Sequence, residues 1–108
     1  MPWKRVIIQR AVLAGYSKGP KPVEKLAKAL KNQQTQSARY EKLKNRDGLA
    51  SGRLDGADRA LLVEFEVNGE KSLVIADIAE NHEYEKSTLF SDKAGVEKYR
   101  QKYGPSIM

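Results

Sequence analysis

The amino-acid sequence predicts a small α+β domain in which helices pack on one face of a mostly antiparallel sheet of about three or four strands. Three observations carry this prediction. Two β-rich runs flank an Asn68-Gly69 pair, the apolar residues after Lys21 recur with a helical period, and a short β-favouring run stands at residues 6–8. The order of strand, helix, hairpin and helix is typical of a sheet covered by helices.

The N-terminal part of the chain predicts one strand and one helix. The β-favouring run at residues 6–8 predicts a strand over residues 3–10. The helix begins at Lys21, and Pro22 is suited to its first turn. Its apolar positions fall at i, i+3, i+4 and i+7 and are Val23, Leu26, Ala27 and Leu30. Its opposite face carries Lys25, Lys28 and Lys31.

The middle of the chain is less regular. Residues 32–37 are polar, so the helix stops there, continues with fraying into residues 38–43, or is followed by a second helix. Residues 45–56 contain Asp-Gly and Ser-Gly pairs that favour turns. They predict an exposed, mobile loop, and this loop carries Arg46 and Arg53.

The clearest local prediction is a β-hairpin over residues 61–79. Apolar and polar residues alternate before the Asn-Gly pair, and β-favouring residues resume after it. A two-residue turn places Glu66 opposite Lys71 as a favourable charge pair, and Leu61 opposite Ala76 on the apolar face.

Polar residues 80–86 leave the hairpin, and a C-terminal helix is predicted over residues 91–104. Ser91 is suited to its N-cap. Tyr99 and Tyr103 lie at helical spacing, and we expect them in the core.

The basic charge is concentrated in the first half of the chain. The protein has 108 residues and a net charge of +6. Residues 1–54 hold 13 basic and 3 acidic residues, a net charge of +10, whereas the remainder holds 7 basic and 11 acidic residues, a net charge of −4. Such a polarised chain can attract a polyanion, most commonly a nucleic acid, although a lysine-rich helix face also serves solubility alone.

The composition excludes several classes of protein. The chain has no Cys and a single His, which excludes a disulfide scaffold, a thiolate metal site and a cysteine nucleophile. The longest apolar run contains Asp77, and the first ten residues lack the apolar stretch of a signal peptide. We therefore expect a cytoplasmic protein with one domain over residues 1–108 and with no metal, cofactor or membrane association.

The hairpin and its flanking residues carry a family resemblance. Arg59 opens the first strand, and His82 and Tyr84 follow the last strand. An Arg before two hydrophobic strands and a terminal His and Tyr make the chain resemble the RelE/ParE toxin superfamily of type II toxin–antitoxin systems. The resemblance is strongest over residues 42–86. The matching stretches are residues 53–62 and 74–84.

The resemblance to the RelE-like members implies an mRNA interferase, an endoribonuclease and hydrolase that cleaves mRNA on the ribosome by metal-independent attack of the ribose 2′-OH. The resemblance implies that Arg59 stabilises the phosphate. It also implies that His82 and Tyr84 supply the acid–base and base-stacking groups, roles that suit these side chains. The implied RNA-binding residues are Lys42, Lys44, Arg46 and Arg53. The implied partners are RNA on the ribosome and an acidic antitoxin protein. An alternative role for Arg59 is a strand-end salt bridge with Asp58.

The chain departs from the family pattern at one position. Glu83 follows His82 where active relatives often carry Arg. With Glu80 and Glu85, it would oppose an approaching phosphate and favour protonated His82, a better acid than base. Two other functions stay open. One is a non-catalytic RelE/ParE-like module that binds a gyrase-type target or an antitoxin, and the other is a basic nucleic-acid-binding protein.

Overall fold

One mixed β-sheet organises the fold. The computed structural model describes residues 3–44 and 46–107, so Asn45, the first residue of the predicted loop, lies outside the described residues. Within them the sheet has five strands in the order β1-β5-β4-β3-β2, with β1 parallel to β5 and the other pairs antiparallel. The strands are β1 Arg5–Ile8, β2 Glu41–Lys42, β3 Leu49–Arg53, β4 Arg59–Val67 and β5 Glu70–Ala79. The α+β class is confirmed, and the predicted three or four antiparallel strands become five strands in a mixed sheet.

Helices lie on both faces of this sheet. The helices are α1 Arg10–Gly15, α2 Lys21–Lys31, α3 Thr88–Ser91 and α4 Gly95–Ile107, and two 3₁₀ turns span Glu80–His82 and Tyr84–Lys86. One core joins α1 and α2 to Ala60, Leu62 and Leu73 of the sheet. A second core joins α3 and α4 to Leu61 and Val63 on the opposite face. The prediction that the helices share one face is wrong, because alternate side chains of the central strands are apolar on both sides.

The hairpin has the predicted turn and most of the predicted register. Glu66 pairs with Lys71 in the ladder, as a two-residue turn requires. Leu61 pairs with Asp77 rather than with Ala76, because an irregularity between Leu61 and Leu62 shifts the register by one residue. Lys71 forms its ion pair with Glu64 instead of Glu66, at 3.7 Å.

Residues 49–53 do not belong to the exposed loop that the turn-forming pairs predict, whereas Asp47, Asp55 and Gly56 are exposed outside the strands. Leu49–Arg53 is a strand between β2 and β4, and its first four residues are buried. Small side chains make this possible, since Gly52 lies so close to α2 that a Cβ there would stand 2.9 Å from a methyl group of Leu26. Small residues that favour turns in isolation therefore serve here as the close-packed part of a sheet.

The ends of the helices decide between the open alternatives and correct one prediction. Lys31 is the last residue of α2 and Asn32 is its C-cap, so the helix stops at the polar segment, which leads to β2. Ser91 ends α3 and is not an N-cap, whereas Ser87 caps α3 by accepting a hydrogen bond from the Leu89 amide at 3.3 Å. The last helix, α4, begins at Gly95, and Tyr99 and Tyr103 pack against the second core as expected.

Candidate nucleic-acid interface

A groove lies between α2 and the segment that leaves β3. It encloses ≈ 980 Å³. Lys21, Lys25 and Lys28 line one side, and Arg53 lines the groove from the end of β3. The three lysines follow one face of α2, at spacings of about 6 Å and about 4.5 Å along the helix axis. Asp55 is the acidic residue that lines the groove, against these four cations.

The cations of this groove differ from most basic residues of the second half. Among the residues that the structure describes, none of these four side chains forms a salt bridge. Elsewhere the cations pair with acids, as in Lys86 with Glu83 at 2.7 Å and Lys98 with Asp92 at 2.8 Å. The groove therefore presents net positive charge, four cations against the one carboxylate of Asp55.

Apolar residues form the floor of the groove, and polar residues close one end. Ala29 and Leu54 are half-buried there. The polar residues are exposed and follow α2 in the chain, and they are Asn32, Gln34 and Ser37. The groove thus combines a cationic wall, a shallow apolar floor and uncharged hydrogen-bonding groups.

A buried carboxylate organises the end of the sheet where Arg59 and His82 lie. Asp58 is 2% exposed. Its side chain accepts hydrogen bonds from the Tyr16 phenol at 2.7 Å and from the backbone N–H of Asn81 at 2.9 Å, and Lys18 Nζ lies 3.0 Å away. Asp58 therefore joins the segment after α1, the start of β4 and the exit of β5.

The pKa values of this cluster follow from burial and hydrogen bonding. Burial alone would raise the pKa of Asp58, but the hydrogen bonds from Tyr16, Asn81 and Lys18 outweigh it and hold that pKa below its ordinary value. Burial, the hydrogen bond to Asp58 and the charge of that carboxylate raise the pKa of Tyr16. Asp58 is consequently ionised at neutral pH and acts as an acceptor.

Arg59 is half-buried and turns back toward the loop that precedes it. Its Nη1 donates to the carbonyl oxygens of Gly56 at 3.1 Å and of Asp58 at 3.0 Å. Within the described residues it forms no salt bridge with the Asp58 carboxylate, which pairs with Lys18. The alternative of a strand-end salt bridge is therefore wrong, because the buried carboxylate is already surrounded by three other donors.

His82 lies at the same end of the sheet as Arg59. Arg59 pairs with Ala79 in the ladder, and His82 follows in the 3₁₀ turn that leaves β5. His82 is exposed, with a φ of 60° after a φ of 54° at Asn81. Non-glycine residues rarely occupy this left-handed region, and the bond from Asn81 to Asp58 holds the turn in it.

A row of rings continues from His82. The His82 and Tyr84 rings meet edge to face at 6.1 Å, and the Tyr84 and Phe90 rings lie 5.6 Å apart. The Arg46 guanidinium carbon lies over the Phe90 ring, 5.2 Å from its centroid, and Arg46 donates from Nε to the Phe90 carbonyl oxygen at 2.6 Å. The guanidinium of Arg46, one of the predicted RNA-binding residues, is therefore held against Phe90 of α3.

The predicted RNA-binding residues do not converge. Lys42 and Arg46 line a second cavity of ≈ 320 Å³ together with Arg100 of α4. Lys44 is exposed in the connection between β2 and β3. Arg53 lines the α2 groove instead. Lys42 pairs with Ala50 in the first half of β3, whereas Arg53 ends that strand, so the four residues line at least two surfaces.

The structure also identifies residues that the sequence analysis did not select. Lys21, Lys25 and Lys28 form the cationic wall, and their helical spacing was the available signal. Asp58 and Tyr16 meet only in the folded chain, so no local pattern predicts their contact. Among the described residues, no group of three or more His, Asp or Glu side chains could hold a metal ion. In the same part of the chain, no helix is long and apolar enough to cross a membrane.

No family model matches the chain, and neither the curated proteins nor the solved structures give a match.

Proposed function

We propose that this chain binds RNA through the groove between α2 and the end of β3. The observation that carries the proposal is the set of four cations without salt bridges that line one groove. A row of phosphates neutralises such cations and releases its own counterions on binding. The net charge of +10 over residues 1–54 would strengthen the attraction at longer range.

The spacing of the four cations along the groove favours an extended polyanion over a small anion. Lys21 and Lys28 stand about 10 Å apart along the axis of α2, and Arg53 approaches the groove from the sheet. A single phosphate could contact only part of this arrangement, whereas a strand that runs along α2 could contact all of it. Phosphate contacts of this kind position the nucleic acid without reading its sequence.

The test is a salt titration of RNA binding by fluorescence polarisation. The variant carries Lys21→Gln, Lys25→Gln and Lys28→Gln. We expect at least a tenfold loss of affinity at moderate salt, and the slope of log affinity against log salt should fall by about 2.

The matched control carries Lys4→Gln, Lys86→Gln and Lys98→Gln. It removes the same charge from exposed lysines that pair with acids outside the groove. The slope should change little in this control. Equal losses in both variants would mean that net charge alone drives binding, and no binding by the unaltered protein would reject the proposal.

A second candidate function is cleavage of the bound RNA, and one observation favours it. Arg59 and His82 lie at the same end of the sheet, on paired strands and the turn that follows. In this reaction the ribose O2′ loses its proton to solvent and forms a bond to phosphorus, and the bond from phosphorus to O5′ breaks. His82 would give its proton to O5′, and Arg59 would neutralise the phosphate oxygens, leaving a cyclic phosphate and a 5′-hydroxyl.

The acids near His82 oppose cleavage less than their sequence positions indicate. Glu83 pairs with Lys86 at 2.7 Å, and Glu80 accepts a hydrogen bond from Ser17 at 3.2 Å. Primer extension on translated mRNA separates cleavage from binding. We expect Arg59→Ala and His82→Ala to abolish strand breaks while salt-dependent binding persists. An intact transcript with the unaltered protein would leave RNA binding as the function.

A further inference from the structure

The polar end of the α2 groove presents hydrogen-bonding groups that the fold does not use. Asn32, Gln34 and Ser37 are exposed in the segment that follows α2. Their side chains make no hydrogen bond within residues 3–44 and 46–107. Backbone hydrogen bonds fix the segment between them. The backbone N–H of Gln34 donates to the carbonyl oxygen of Ala29 at 2.8 Å, and the backbone N–H of Ala38 donates to the backbone carbonyl oxygen of Gln34 at 3.0 Å.

We infer that this end of the groove reads bases of single-stranded RNA and prefers adenine. The inference rests on the proposed RNA binding and adds the substrate class. A carboxamide offers a donor and an acceptor side by side, and this pair matches N7 and the N6 amino group of adenine. Asn32 and Gln34 supply two such groups next to the cationic wall. Lysines contact the backbone, and amides contact the base edges.

A single strand fits this arrangement better than a duplex. An RNA duplex hides its base edges in a deep, narrow major groove that side chains do not enter. The lysine wall extends for about 10 Å along α2, which spans only a few nucleotides. Ala29 and Leu54 form a shallow apolar floor on which the face of an unpaired base can lie.

The floor is a poor match for an acidic peptide, the other ligand that a cationic groove attracts. Peptide helices anchor themselves with large apolar side chains in deep pockets. Here the floor offers Ala29 and the half-buried Leu54, whereas Ala38 and Leu26 are each 3% exposed, so their surface is already used by the core.

The experiment measures the affinity of the full chain for octamers of adenylate, uridylate and cytidylate and for a mixed duplex of equal length. The variants are Gln34→Ala and Asn32→Ala, and Gln101→Ala is the control because Gln101 is an exposed glutamine on α4. We expect oligoadenylate to bind about tenfold more tightly than oligocytidylate. Gln34→Ala and Asn32→Ala should reduce that preference with an unchanged salt slope, and Gln101→Ala should leave both values unchanged.

The outcomes separate this inference from the proposed function. Salt-dependent binding that is equal for all three octamers would overturn the base reading and keep the RNA binding. Tighter binding of the duplex would also overturn it. Failure to bind any RNA, or displacement of RNA by oligoglutamate at lower concentration than by oligoadenylate, would overturn both. Circular dichroism of each variant checks the fold, which these exposed side chains do not support through hydrogen bonds.

Discussion

The phenol of Tyr16 donates a 2.7 Å hydrogen bond to the carboxylate of Asp58, across 42 residues of sequence. Both side chains are buried, with exposed fractions of 5% and 2%. The same carboxylate holds the Asn81 amide at the exit of β5. This contact links the α1 side of the fold to the turn that carries His82, so it supports the candidate catalytic end of the sheet.

Removal of the Tyr16 hydroxyl should destabilise the fold. Tyr16→Phe leaves the ring in the core but takes one donor from a buried charge, which costs about 1.5–3 kcal/mol of unfolding free energy. Asp58→Asn should cost more, because it removes the charge and turns a donor toward the remaining donors. Urea unfolding measures both changes.

Tyr103→Phe is the matched control for Tyr16→Phe. The Tyr103 hydroxyl has no hydrogen-bond partner among the described residues, and its ring packs on Tyr99 at 4.5 Å. Its unfolding free energy should change by less than about 0.5 kcal/mol. Equal effects of the two substitutions would contradict a special role for the contact between Tyr16 and Asp58.

The stabilisation from Asp58 should depend on pH. Its pKa in the folded state lies below the ordinary value of 3.8, so the unfolded chain binds the proton more readily. The contribution is therefore present above pH 3.8 and is lost as the pH falls through the folded-state pKa. The difference in unfolding free energy between the unaltered protein and Asp58→Asn should be constant near neutral pH and shrink as the pH falls below 3.8. A difference that grows on acidification would contradict this assignment.

The contrast between the hairpin and β3 explains how much of the fold the sequence predicts. The hairpin depends on neighbours in the chain, so alternation and an Asn-Gly turn predicted its register as far as the irregularity at Leu61. Leu49–Arg53 depends on contacts with α2 and β4. Its small residues permit these contacts, but their local sequence does not predict a strand. The order of the sheet likewise depends on β1 meeting β5, and no local pattern predicts a parallel pair so distant in sequence.

The candidate site divides in the same way. Arg59 and His82 were predicted on strand-end positions, and the hairpin register brings those positions to one end of the sheet. The family resemblance implied Lys42 and Arg53 together as RNA-binding residues, but Lys42 lines the smaller cavity and Arg53, at the end of β3, lines the α2 groove. Asp58 was considered only as a partner of Arg59, because the donors that surround it come from three distant segments.

The N-terminus of α4 should not tolerate a side chain at Gly95. A Cβ there would overlap the carbonyl oxygen of Thr88 and stand 3.0 Å from the Leu89 Cα. Backbone atoms cannot move aside as a flexible side chain does, so Gly95→Ala should lower the unfolding free energy by about 1–3 kcal/mol. Gly15 provides the control, since a Cβ on this glycine would lie in open space with no heavy atom within 4 Å.

Gly15→Ala should leave the unfolding free energy unchanged or raise it by up to about 1 kcal/mol, because alanine favours the helical conformation. Thermal unfolding followed by the single Trp in the chain is a suitable measurement. Trp3 is 5% exposed and packs edge to face on Tyr40 at 4.9 Å, so its emission should shift when the core opens. A stable Gly95→Ala variant would show that α3 and α4 meet less closely than described.

Arg53 should act on RNA through a phosphate and not through a base. It is exposed, lines the α2 groove from the sheet side and forms no salt bridge within the described residues. Arg53→Gln should therefore weaken binding of every octamer by a similar factor and lower the salt slope by about 0.7, the value for one phosphate of a single strand. The preference for adenine should persist. Lys93→Gln removes the same charge from an exposed site between α3 and α4, on the opposite face of the sheet, and should leave the slope unchanged. A base-dependent loss for Arg53→Gln would place a base, and not the backbone, against β3.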